Sequence, residues 1–308
     1  HRAELGMRRG MRRVLLAIDL LLVALAVGVG LTWDARTAAD EPAIVIHKVE
    51  NASFVARQPQ QPVFLLLIGN DARPGLEGVR GDAIHLVGIN PAMHSATILN
   101  IPRDTWVPIA GHGDEKITRS MEFGGFQLEV QTVAALTGVP FSFAVTSGFE
   151  GFKTLVNEAG GVNVTVADRM YDTFSGADFS PGRTHMLGDG ALSYARNRHI
   201  PNGDIQRTEN QGWMLVAALE RAREMSHNPF DTMHLLGLIA RNTQVDGASY
   251  RDLFSLVSLG LSIDPANVRN VTMPSRIGKV GPADVVFVGP GAAELFADFR
   301  DDAILQSH

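Results

Sequence analysis

VFLLLIGNDARPGLEGVRGDAIHLVGINPAMHSATILNIP, residues 63–102, decides the fold. It holds three short apolar runs, VFLLLIG (63–69), AIHLVGIN (83–90) and SATILNIP (95–102), whose apolar residues leave neither face of a strand for water. Pro91-Ala92-Met93-His94 joins the last two and suits a tight hairpin. These strands follow one another too closely for crossover helices, so they cannot all be parallel. Downstream the texture alternates. A helix is predicted over 125–136, with Phe126, Val130, Val133 and Ala134 on one face and Gly138 and Pro140 as the stop. A strand follows at 141–145, then a helix capped by Ser147 that runs to about Ala159 and ends at Gly160-Gly161, then a strand at VNVTV (162–166). After a Gly-, Asp- and Ser-rich loop (167–186), helices are predicted over 187–195, 205–225, 230–242, 250–261 and 291–299, with strands at 268–273 and 285–288. The pattern predicts an α/β chain, a single mixed α/β/α sandwich domain and not a doubly wound sheet.

The chain has 308 residues, 45% of them hydrophobic, enough for a full core. It has no Cys, which excludes a disulfide scaffold, a thiolate metal site and a Cys nucleophile. The formal charge of −6 is unevenly spread, because Arg2, Arg8, Arg9, Arg12 and Arg13 all precede residue 33 and leave a more acidic body behind them. Such a body is no general binder of nucleic acid, so an anionic ligand must meet a local arginine cluster. Val14 to Thr32 reads VLLAIDLLLVALAVGVGLT, with Asp19 its single charge, and is long enough to span a hydrocarbon core of roughly 30 Å. The arginines before it predict an inside N-terminus and an exported body. A cleaved signal peptide, with Thr37-Ala38-Ala39 as the site, is the competing reading. The expected organisation is a basic cytoplasmic tail (1–13), a transmembrane signal-anchor (14–32), an extracellular spacer (33–61) with one edge strand at 44–47, a catalytic domain (62–300) and a tail (301–308).

Four segments place charge at strand exits and turns. Gly69-Asn70-Asp71-Ala72-Arg73 leaves the first buried strand, and Arg80-Gly81-Asp82 leads into the second. Asp71 and Asp82, separated by one loop, can converge on a hard cation such as Mg²⁺. Pro102-Arg103-Asp104 leaves the third strand. Tyr194-Ala195-Arg196-Asn197-Arg198-His199 is followed by Asp204, Arg207 and Gln211, the last two one helical turn apart and able to face one ligand. If Arg73, Arg80, Arg103, Arg196, Arg198 and Arg207 converge, the ligand carries several phosphate charges. Taken singly, each segment also fits a surface ion pair or a charged helix end, and Asp204 fits the first-turn charge of a helix.

In order, FLLLIGNDARPG, RGDAIHLVGINP, ATILNIPRDTWVPI, EKI, FEGFKTLVNEAGGVNVTV, ALSYARNRH and DIQRTENQ resemble the LytR-CpsA-Psr family of cell-wall glycopolymer transferases across roughly residues 61–300. The resemblance implies an enzyme that takes a glycopolymer from a polyprenyl-pyrophosphate carrier and joins it to peptidoglycan through a phosphodiester. By the same resemblance Asp71 and Asp82 hold Mg²⁺. Arg73, Arg103, Arg196, Arg198 and Arg207 contact the pyrophosphate with Gln211, and Asp104 orients Arg103 or moves a proton; Arg80 is placed in the substrate-binding set by its turn position alone. Two departures stand out. The pattern RSDT is here Arg80-Gly81-Asp82-Ala83, without two hydroxyls, and a second Arg before the Gln is here Asn210.

A hydrolase of the same lipid pyrophosphate would need the same residues, and a membrane-tethered regulator is a non-enzymatic alternative, although the segment before Val14 is too short for a DNA-binding helix-turn-helix. Phe141, Phe143, Phe149, Phe152 and Leu155 could line a lipid-tail pocket or simply fill the core. His199, next to Arg198, is the one histidine expected as a polar contact.

Overall fold

The computed structural model describes residues 43–49, 61–71 and 79–306. The expected membrane span at 14–32 lies outside them. Among the described residues no helix is long and apolar enough to cross a membrane.

Among the described residues fifteen strands and seven α-helices are built around one seven-stranded mixed sheet. Its centre is the hairpin set read from the sequence: β2 (Val63–Asn70), β3 (Gly81–Asn90) and β4 (Ser95–Ile101), antiparallel in succession. Beside β2 runs β7 (Phe143–Ser147) in parallel, and beyond it β1 (Ile44–Lys48), antiparallel to β7. The flanks are β12 (Thr243–Asp246), parallel to β1, and β13 (Val268–Thr272), parallel to β4.

Alternate residues serve opposite faces. Phe64, Leu66, Ile68, Ile84, Leu86, Leu99 and Ile101 face α1 (Arg119–Thr137) and α7 (Ala292–Asp302), whose Phe296 and Phe299 complete that core. Gly88 has no side chain because Phe299 and Ala303 lie where its Cβ would stand, which lets α7 seat directly on β3. On the opposite face Leu65, Val87 and Ile89 meet Leu219 of α4 (Asp204–Glu224) and Leu259 of α6 (Tyr250–Leu261). This is the expected α/β/α arrangement. A second core unites α2 (Phe149–Glu158), α3 (Gly188–Arg196) and α4 with the hairpin of β8 (Val162–Val166) and β11 (Gly182–Met186). One more helix, α5 (Pro229–Asn242), starts at Asn228, whose side chain accepts from the Phe230 and Asp231 amides.

Local signals explain the boundaries. Gly138 ends α1 in the left-handed conformation (φ 68°), donating its N–H to the Ala134 carbonyl. The helix begins earlier than predicted, and Gly124 and Gly125 kink it near the predicted start. Ser147 does not cap α2; the N-cap is Gly148, and the Ser147 hydroxyl donates to the Ala43 carbonyl.

Three expectations on organisation are corrected. The stretch 33–61 is not simply a spacer, nor its strand an edge: β1 lies inside the sheet, with Ile46 packed beside Phe143 and Leu253. Residues 301–308 are not simply a tail, because Ala303 and Leu305 are buried in the main core. The loop 167–186 contains β11 and the hairpin of β9 (Met170–Asp172) and β10 (Ala177–Phe179). Two further hairpins escaped the sequence pattern in whole or part: β5 (Trp106–Ile109) with β6 (Gly113–Lys116), and β14 (Ser275–Val280) with β15 (Ala283–Val288).

Candidate active site

Where β2 ends and β3 begins, their register slips: Gly69 pairs with Ala83 but Asn70 pairs with Gly81, leaving Asp82 as the bulged residue. Bulges re-aim side chains at sheet margins. Here the bulge delivers Asp82 to the Arg103 guanidinium, which arrives from the exit of β4. Asp71, buried one residue past β2, accepts the Arg80 amide at 2.9 Å and donates its own to the Arg80 carbonyl. Asp71, Asp82 and Arg103 therefore share one end of the sheet.

The other half of the site comes from α4 and the turn before it. Asp204, in the first turn of α4, lies 2.9 Å from Arg207, 3.6 Å from Arg198 and 3.9 Å from Arg103. Arg207, only 2% exposed, also donates to the Asp82 carbonyl at 3.3 Å, tying helix to bulge. Asp104 receives Lys116 at 3.2 Å and Arg103 at 3.9 Å. Arg103, Arg198 and Arg207 thus meet around Asp82 and Asp204, with Lys116 joined through Asp104. Gln211, one turn after Arg207, donates to the Ala195 carbonyl at 2.9 Å and ties α3 to α4.

Burial works against charge on Arg103, but Asp82, Asp104 and Asp204 together hold its guanidinium above its usual range. Burial pushes Arg207 down to about 10 despite Asp204, with Arg198 and Arg103 adding repulsion. It stays a cation at neutral pH. Among the described residues, the Nε of Arg103 and of Arg207 are buried without a hydrogen-bond acceptor, as are amide nitrogens of Asn197 and Asn210. Buried donors without acceptors are rare in folded proteins. Several of them within and beside one arginine cluster suit a ligand rich in anionic oxygen.

Behind this wall, His85 bonds to Asn100 at 2.7 Å, Asn100 donates to Asn270 at 2.7 Å, and Asn270 donates to the Glu209 carbonyl of α4 at 3.0 Å. Burial pushes the His85 imidazole down to about 4, opposed by its bond to Asn100 and reinforced by Arg207. This relay fixes α4 against β3, β4 and β13.

Not every expected residue joins the cluster. The Arg80 guanidinium, half exposed, pairs with Glu122 of α1 at 3.3 Å. Arg196 stacks over the Phe149 ring at 4.9 Å, a cation–π contact. Arg73 lies outside the described residues. Phe143 is fully buried and Phe141 nearly so; both are core. His199 does make a polar contact, 3.0 Å from Asp172.

Two residues were not among the expected site. Asp204, which reads as an ordinary first-turn charge, is the anion on which three arginines converge. Glu129 of α1 is 0% exposed, neither of its carboxyl oxygens has a hydrogen-bond partner among the described residues, and it lies where a Cβ of residue 81 would stand. Burial, reinforced by Asp82, pushes its carboxyl well above the ordinary range. The signal was in the sequence: Glu129 falls on the same helical stripe as Phe126, Val130 and Val133.

The model of the LytR_cpsA_psr family matches residues 31–293. The polyisoprenyl-teichoic acid–peptidoglycan teichoic acid transferase TagU of Bacillus mycoides is 34% identical over 168 residues, 54% of either chain, so this match spans about half the length of that relative. TagU of Enterococcus faecalis is 28% identical over 239 residues, 76% of this chain and 78% of its own. Among solved structures, B. subtilis TagV superposes with a TM-score of 0.68 at 24% identity, over 82% of this chain and 100% of its own. A structure of TagT bound to LIIa-WTA superposes at 0.65 with 24% identity, over 87% and 99%. These two likenesses establish the fold. With the family model covering most of the sequence, from before β1 to the start of α7, the chain belongs to the LytR-CpsA-Psr family.

Proposed function

We propose that the protein transfers a glycopolymer from a polyprenyl-pyrophosphate carrier to a peptidoglycan hydroxyl, forming a phosphodiester outside the cell membrane. The observation that carries this reading is the convergence of Arg103, Arg198 and Arg207, two of them with buried Nε donors lacking an acceptor. A diphosphate is the acceptor such donors suit. The names of the TagU relatives supply the polyisoprenyl donor and the peptidoglycan acceptor. The apolar run 14–32 behind its arginines supports a membrane anchor with the domain exported.

In this reading an acceptor hydroxyl oxygen attacks the sugar-linked phosphorus, the bond to polyprenyl phosphate breaks, and the hydroxyl proton is released to solvent. Arg103 and Arg207 neutralise charge growing on the phosphate oxygens, where fixed cations are most effective. Both are held before substrate arrives: Arg103 by Asp82, Arg207 by Asp204 and the Asp82 carbonyl. Asp104, engaged by Lys116 and close to Arg103, acts as a positioning residue. Gln211 keeps α3, with Arg196 at its end, against α4.

Asp71 and Asp82 are the residues that would hold Mg²⁺, and the unpartnered carboxyl of Glu129 beside Gly81 is the kind of group that fits a cation there. When bound, Mg²⁺ supplies further neutralisation of the diphosphate.

The test is incubation of the full-length protein with a polyprenyl-pyrophosphate glycan, Mg²⁺ and peptidoglycan. Mass spectrometry should find a new glycan–peptidoglycan phosphodiester together with free polyprenyl phosphate, and Arg103→Ala should remove both. Release of glycan phosphate at a rate indifferent to peptidoglycan would identify a hydrolase instead.

A further inference from the structure

Three carboxyl groups approach the backbone of residues 80–82 from three elements. Asp71, past β2, accepts the Arg80 amide. Asp82 belongs to that backbone, and Glu129 arrives from α1 to lie against Gly81. The contact with Gly81 is close: a Cβ at position 81 would overlap the Glu129 carboxyl, so a larger residue there would force that carboxyl to shift. Position 81 is therefore the place at which α1 can deliver an acid to this end of the sheet.

Packing alone gives no reason for that acid. A fully buried carboxyl with neither oxygen hydrogen-bonded is costly when charged, and when neutral it still leaves a donor and an acceptor unused. Among the described residues no arginine or lysine pairs with it. A small hard cation is the partner that would satisfy both oxygens and relieve repulsion from Asp82.

We propose that Glu129 is a third carboxyl ligand of a divalent-cation site shared with Asp71 and Asp82, admitted by the absence of a side chain at Gly81. The inference rests on the reading of Asp71 and Asp82 given above. Among the described residues no three His, Asp or Glu side chains stand where they could hold a metal ion together, so the three carboxyls have to close on the cation as it binds. Asp82 is turned to Arg103, and cation binding gives that carboxylate a second partner.

The measurement is Mn²⁺ binding to the full-length protein, read by electron paramagnetic resonance, for wild type, Asp82→Asn, Glu129→Gln and Gly81→Ser. Mn²⁺ shares the preference of Mg²⁺ for oxygen ligands. Wild type should bind, and Asp82→Asn and Glu129→Gln should each weaken binding at least about tenfold. Gly81→Ser should weaken it as well, by displacing Glu129. Urea unfolding in EDTA checks that Glu129→Gln folds; if it does not, Glu129→Ala replaces it in the same titration. Binding that falls with Asp82→Asn but is unchanged by the Glu129 variants overturns the inference and leaves the two-aspartate reading standing. No binding by wild type overturns both.

Discussion

Acid should weaken this fold through one side chain, His85. Its imidazole is wholly buried between the sheet and α4, bonded to Asn100 with Arg207 and Gln211 beside it, and is pushed down to about 4 from an ordinary value of 6.5. Asn100's amide nitrogen is committed to Asn270, so its oxygen faces His85 and the neutral ring donates from Nδ1. Between these two values the unfolded chain binds a proton that the folded chain refuses. The sign is therefore loss of stability as pH falls: none above about pH 7, then about 1.4 kcal/mol for each pH unit down toward pH 4. From about pH 7.5 to about pH 4.5 the single group should cost about 2.5 kcal/mol. Urea unfolding at the two pH values measures it, and His85→Asn is the control, because the Asn Nδ2–H can stand in for the imidazole Nδ1–H but cannot titrate. Any packing defect in the variant shifts its whole curve and leaves the pH slope as the readout. An equal pH dependence in wild type and variant would refute the assignment.

Arg207→Lys should cut glycan transfer by roughly 10²-fold, because an ammonium cannot reach Asp204 and the Asp82 carbonyl together while facing a diphosphate; product formation within about twofold of wild type would remove Arg207 from the site. Asp204→Asn leaves three guanidinium groups without their shared anion, and should lower stability by about 1–3 kcal/mol in urea while also slowing transfer. Gly88→Val forces a branched side chain against Phe299 and Ala303 and should cost about 1–3 kcal/mol by the same measurement without altering Mn²⁺ affinity.

The central hairpins were legible because β2, β3 and β4 are buried on both faces, which made the apolar runs continuous, and α1 ended as expected because Gly138 takes a left-handed turn. By contrast β1 carries only Ile44-Val45-Ile46 as apolar residues, and its interior place is set by partners at 143–146 and 243–246 that no local pattern reveals. Strands β9 and β10 are three residues each, below the length at which alternation can be read. At the site, charge at strand exits and at the start of a helix singled out Asp71, Asp82, Arg103 and Arg207, which the fold brings to one end of the sheet. It could not tell that Arg80 turns away to Glu122, since an exposed arginine takes whichever carboxylate its neighbouring helix offers. Nor could it identify Asp204 as the meeting point of three cations, because its helix-start position was sufficient explanation by itself.

The order in which the sheet can be completed follows from its outermost pairs. Ile44 waits for Thr243, and Ala96 for Val268, whereas β2, β3 and β4 join through neighbouring turns. Contacts so distant along the chain carry a large loop-closure cost and slow the search for the native topology. During synthesis the middle strands can assemble early, but the two borders must stay open until nearly the entire polypeptide has emerged. A chain truncated before residue 243 would retain β1 and β4 as unsatisfied sheet margins, prone to self-association.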